Sequence, residues 1–215
     1  MNRITTSYLP AALVLAAGSF GTCRASSLVF DMSSGPAGNV GSSQKSITQG
    51  AYTITAYGFN AGGSDHNLFT KQNGGDENGL GLVDTYDNEL TLNAGGTAIA
   101  NYIQTDVSAI KNLPGGKLMM GSVTGGESFD VFGSNTLGTP GTSLISGNTT
   151  SGSFISIPSW GSYDYITVAV HPHSSQPADN VLFDAISVVP EPGEYASLAG
   201  FGLLGFAGWR RWKSV

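Results

Sequence analysis

Between Ser26 and Val189, apolar residues come in short runs that alternate with polar ones and stop at clusters of glycine, serine, asparagine and proline. A period of two over four to eight residues marks a half-buried strand rather than a helix. The runs predict strands over 27–32, 51–59, 80–84, 117–124, 128–133, 153–157, 163–170 and 181–189. Between them lie breaks such as Ala61-Gly62-Gly63-Ser64, Gln72-Asn73-Gly74-Gly75, Pro114-Gly115-Gly116 and Thr139-Pro140-Gly141, where glycine supplies the positive φ of tight turns. In the run 163–170, Ile166, Val168 and Val170 share one face and Tyr165, Thr167 and Ala169 the other, and the first set is the expected core face. Only the stretch 106–113 (DVSAIKNL) has helical character, for one or two turns at most. About eight to ten short strands without a repeat of 20 to 50 residues predict an all-β domain, an antiparallel β-sandwich or jelly roll.

The two ends break this pattern. Arg3 and a short polar stretch precede an apolar run from Leu9 to Gly21 and then Thr22-Cys23-Arg24-Ala25, which reads as a secretory signal peptide over residues 1–25. A buried core helix and a lipoprotein cut before Cys23 are the competing readings. Cys23 is the sole cysteine, so the stretch 26–189 carries no disulfide. At the other end, Pro190-Glu191-Pro192 leads into an apolar stretch from Tyr195 to Trp209 and a basic cluster, Arg210, Arg211 and Lys213. As a helix those apolar residues reach only about 22 Å, short of a ~30 Å hydrocarbon core, so they would insert marginally, with the basic cluster held on the cytoplasmic side. Gly200, Gly202, Gly205 and Gly208 give this helix a small-residue surface suited to packing against another helix.

Composition narrows the partners. Of the 215 residues 31 are glycine and only 11% are charged, which disfavours coiled coils and helical bundles. Residues 26–189 hold four lysines against 13 acids, a net charge of −9, so nucleic acid is an improbable partner.

The order of Pro-Glu-Pro, short glycine-rich apolar helix and arginine cluster over residues 190–215 resembles the PEP-CTERM sorting signal of Gram-negative bacteria. The resemblance implies a membrane transpeptidase of the exosortase type as partner, recognition at Pro190, Glu191 and Pro192, and a chain transiently anchored in the inner membrane before it reaches the cell surface or the extracellular space. A weaker resemblance, carried by stretches such as GLGLVDTYDNEL from Gly79 and WGSYDYITVAV from Trp160, is to exported β-sandwich domains found upstream of such tails.

Candidate chemistry in the middle is sparse. Asp184, in the last strand, would share a face with Leu182, Ile186 and Val188, and a structural Ca²⁺ with Asp31 as second ligand would satisfy it there. The other reading turns Val181 and Phe183 inward and leaves Asp184 in solvent. Asp76-Glu77-Asn78-Gly79 and Asp84 to Glu89 form an acidic cluster, either a partial calcium loop or a solvated one. His171 and His173, with His66, are a candidate transition-metal set or a plain turn at Pro172. Trp160 and Tyr163 are candidate glycan contacts, or aromatics that close the core.

Catalytic motifs are missing: the sequence has no G-x-S-x-G, no H-E-x-x-H and no phosphate loop. The expectation is a non-enzymatic, exported surface or extracellular-matrix protein, structural or adhesive, with exopolysaccharide as partner and no cofactor beyond that candidate Ca²⁺. The alternatives are a carbohydrate-binding module and a secreted polysaccharide hydrolase.

Overall fold

The structure is a computed structural model, and it describes residues 26–92, 101–172 and 179–189. These residues belong to one unit, Ser26–Glu191. Fourteen strands are found among them: β1 Leu28–Asp31, β2 Gly38–Asn39, β3 Gln44–Gln49, β4 Tyr52–Phe59, β5 Leu68–Gln72, β6 Asn78–Leu82, β7 Leu90–Thr91, β8 Tyr102–Asp106, β9 Lys117–Gly121, β10 Phe129–Ser134, β11 Thr142–Asn148, β12 Ile155–Ser156, β13 Tyr165–Val170 and β14 Asn180–Val188. The described residues are all-β, with two antiparallel sheets in a sandwich-like arrangement. One sheet runs β12-β9-β14-β6-β5-β2, with β1 and β7 also paired to β14, and the other runs β11-β10-β13-β8-β4-β3.

A single apolar cluster joins the two sheets. Phe30, Leu68, Leu80, Leu118, Phe183 and Ile186 of the first sheet share it with Ile54, Ile103, Phe129, Val131, Ile166 and Val168 of the second. Each fully buried side chain of this size is worth about 1.5–3 kcal/mol of transfer free energy, which ties the sheets together without any disulfide. The expected inward set Ile166, Val168 and Val170 lies in this core. The other face of β13 is covered as well: Ala169 packs with Phe59, Tyr102 and Phe132 in a second cluster. There the loop after β10 is strapped down, with the Tyr102 hydroxyl donating to Gly138 O at 2.7 Å and Gln104 both donating to Thr139 O and accepting from Gly138 N.

All eight expected strands are present, with shifted ends, and β2, β3, β5, β7, β8 and β11 come in addition. No helix forms over 106–113; Asp106 ends β8, and the rest winds as successive turns, with Lys111 N donating to Val107 O at 2.8 Å. Among the described residues the one helical element is a single 3-10 turn, Tyr86–Asn88, and no helix is long and apolar enough to cross a membrane. The expected signal peptide, the sorting motif Pro190, Glu191 and Pro192, the apolar tail and the basic residues Arg210, Arg211 and Lys213 lie outside the described residues.

The expected face of β14 needs correction. Opposite β9, Phe183 pairs with Met120 while Ala185 pairs with Met119, so Asp184 is the extra residue of a bulge. A bulge resets the two-residue phase of the strand. Val181 and Phe183 enter the core before it and Ile186 and Val188 after it, while Leu182 and Asp184 are outside that set.

Candidate functional site

The site is set up by the alternation of β5. Thr70 pairs with Leu80 and points with Leu68 toward the core, so Lys71, paired with Gly79, projects from the opposite face of the sheet. An ammonium there would ordinarily be in water, yet Lys71 is only 5% exposed. The segment after β6 folds back across this face and covers it. Gly81 makes the approach feasible: a Cβ at this position would sit 2.1 Å from Asn88 O and 2.8 Å from the Glu89 Cα. The fold-back uses left-handed backbone at Asp84, Asp87 and Asn88, and Thr85 Oγ1 secures it by bonding to Leu82 O at 2.7 Å and Glu89 O at 2.6 Å.

Three carboxylates then converge on one ammonium. Lys71 Nζ lies 2.7 Å from Glu77 Oε2 and 2.6 Å from Asp87 Oδ2, and it also donates to Glu89 Oε1. Ser122, at the end of β9, donates its hydroxyl to Glu77 Oε1 at 2.9 Å and to Glu89 Oε1 at 3.1 Å. Glu89 is fully buried, and its Oε2 has no hydrogen-bond partner. Burial pushes the Glu89 carboxyl up to about 7, although Lys71 and Ser122 act against that rise. Burial also pulls on Lys71 in the direction of deprotonation, but the hydrogen bonds it donates to Asp87, Glu77 and Glu89 more than offset it and hold the ammonium above its ordinary range.

One ligand oxygen from each of Glu77, Asp87 and Glu89 can be chosen so that all lie within 4.8 Å of one another, and hard cations take such oxygens. The space among them is filled by the Lys71 ammonium, which acts as the resident cation. The acidic segments 76–79 and 84–89 are visible in the sequence; the lysine at their centre is not. The signal available was the tripeptide Thr70-Lys71-Gln72 inside an apolar-polar run, with Gly79 and Gly81 lacking side chains on the strand that pairs with it.

Asp31 and Asp184 are on adjacent strands, with Asp31 paired to Ala185. Asp31 is exposed and caps its own turn, accepting from Ser33 N at 2.8 Å and Ser33 Oγ at 2.7 Å. Burial, followed by the charge of Asp31, pushes the Asp184 carboxyl up to about 6. Lys45 reaches across from the second sheet to Met32 O at 2.8 Å and Thr70 Oγ1 at 3.0 Å.

Trp160 and Tyr163 both lie against glycines. The Trp160 ring covers Gly116, where a Cβ would come within 1.9 Å of it, and its Nε1 donates to Leu113 O at 2.7 Å. The Tyr163 ring lies on Gly133 in the same way, 2.4 Å from where a Cβ would be. One face of the indole and its N–H are thus spent on the protein. His66 Nε2 bonds Val83 O at 2.6 Å, whereas His171 Nδ1 bonds Asp130 Oδ1 at 2.7 Å; His173 is outside the described residues.

No protein-family model matches the chain, and searches of curated proteins and of solved structures returned no match.

Proposed function

We propose that this chain is an exported cell-surface or extracellular-matrix protein, sorted through its C-terminal tail and structural or adhesive in association with exopolysaccharide. The observation that carries the reading is the tail itself: Pro190-Glu191-Pro192, then a short glycine-rich apolar stretch, then Arg210, Arg211 and Lys213. A membrane transpeptidase of the exosortase type is the partner this tail calls for. The folded part is compatible with a passive role outside the cell. An all-β domain with an apolar core between its sheets, few charges and no cysteine in 26–189 offers an oxidising exterior no thiol to oxidise. In this reading the domain is non-catalytic and needs no cofactor.

The test is the intact mass of the protein recovered from its native host, beside a matched strain lacking the sorting enzyme. Loss of both the first ~25 residues and the tail beyond Pro190-Glu191-Pro192, with the tail regained in the mutant strain, supports the reading. A tail retained in both strains would overturn it.

A further inference from the structure

We propose that Lys71 and Asp87 join through an intramolecular isopeptide bond, with Glu89 as the proton carrier. The inference stands on the cluster around Lys71 and is independent of how the chain is sorted.

Three observations converge. The amine nitrogen is nearly buried and lies 2.6 Å from Asp87 Oδ2, so nucleophile and acyl carbon are held one atom apart, the arrangement that gives intramolecular reactions their high effective molarity. Glu89 is wholly buried, its Oε1 is in contact with the same nitrogen, and its other oxygen, Oε2, is buried with no hydrogen-bond partner. Such a group is costly as a permanent structural carboxylate but well suited to hold a proton in passing. Its elevated proton affinity, about 7 by burial, puts it near neutrality, where both of its forms are accessible. Asp87 is the acyl partner because it is carried by the covering turn and its side chain is 57% exposed, so the water that leaves has a way out. Glu77, by contrast, is also held by the Ser122 hydroxyl.

The step balances within the cluster. Lys71 Nζ gives a proton through Glu89 to an Asp87 oxygen, and the freed lone pair adds to the Asp87 Cγ. A second Nζ proton follows the same route to the hydroxyl that departs. The C–O bond breaks, the C–N bond remains, and one water is released. An ammonium and a carboxylate become a secondary amide, nothing is oxidised or reduced, and Glu89 ends as it began. The product ties β5 to the turn after β6, 16 residues apart, in a stretch that has no cysteine.

The experiment is a peptide map of the full chain, denatured and cut with trypsin and a glutamate-specific protease. A bonded Lys71 resists trypsin, so segment 46–77 should appear joined to segment 78–89, lighter by one water than the two together, with fragment ions placing the bond at Asp87. Lys71→Arg should abolish the joined species; Glu89→Gln, which also loses the cut after residue 89, should show no 46–77 joined to 78–111; and Glu77→Gln, which loses the cut after residue 77, should give 46–89 as one peptide, uncut at Lys71 and lighter by one water. Recovery of Lys71 cut by trypsin in the wild-type chain, as 46–71 and 72–77 with 78–89 at full mass, would overturn the proposal, as would a bond located on Glu77 or Glu89. The wild-type map decides even if a variant fails to fold.

Discussion

Thr70 and Lys71 are neighbours on β5, and each marks a place where a lysine ammonium is drawn partly or wholly out of water, one on either face of the strand. On the core side, the Lys45 ammonium meets Thr70 Oγ1 and Met32 O, with only the charge of Asp31 to favour it. Burial therefore wins, and Lys45 is shifted below its ordinary range. On the far side, Lys71 is more deeply covered, yet three carboxylates reverse the outcome and shift it upward. The carboxylates behave alike in both places: burial raises Glu89 to about 7 and Asp184 to about 6. Depth alone does not decide whether a buried charge persists. The number of opposite charges that the backbone can bring within bonding distance decides it, and here Gly81 on β6 lets the turn that carries Asp87 and Glu89 lie close over the sheet.

The contrast is broken most severely by removing the shared cation. Lys71→Met leaves Glu89 buried beside two other carboxylates, and stripping one partner from a buried ion cluster costs about 3–5 kcal/mol; denaturant unfolding would measure it. Next comes Gly81→Ala, which puts a methyl against the Asn88 carbonyl. Backbone meets backbone there, so we expect a loss of about 2–3 kcal/mol, at the upper end of overpacking, accompanied by greater exposure of Lys71 to amine-reactive labels. Asp184→Asn tests the pH dependence on the other side. A carboxyl raised in the fold is stabilising while protonated, and this contribution is lost as pH rises from 3.8 to about 6. The variant should thus match wild type near the lower pH and exceed it by a few degrees in Tm above the upper one. The smallest effect is expected from Lys45→Met, which trades two hydrogen bonds for relief of a desolvated charge and should stay within about 1 kcal/mol of wild type. A Lys45→Met loss as large as that of Lys71→Met would show that partner number is not what separates the two lysines.

The core was legible because β4, β9, β10, β13 and β14 alternate strongly enough for period to reveal them. The strands missed are those whose pattern is polar or short. β3 (QKSITQ) and β11 (TSLISGN) are edge strands with one exposed face, and β3 fills that face with hydroxyl pairs to β4, Ser46 to Thr55 at 3.0 Å and Thr48 to Thr53 at 2.9 Å. The residue-by-residue alternation of β14 misleads because a bulge cannot be seen without its partner strand. For the Lys71 cluster the sequence offered the acids but not the geometry. Which lysine they surround depends on pairing Lys71 with Gly79 and on a turn lying over Gly81, both of which are tertiary facts.

The pairing of β1 with β14 has a mechanical consequence. Leu28 lies opposite Val188, so the entry and the exit of the domain are side by side on antiparallel strands. A tensile load applied through those two ends would part the β1–β14 ladder one rung at a time, like a zip, beginning at the Leu28–Val188 rung. The tie proposed at Lys71 lies at neither end of that ladder, so peeling β1 away would leave the loop from β5 to the turn after β6 closed.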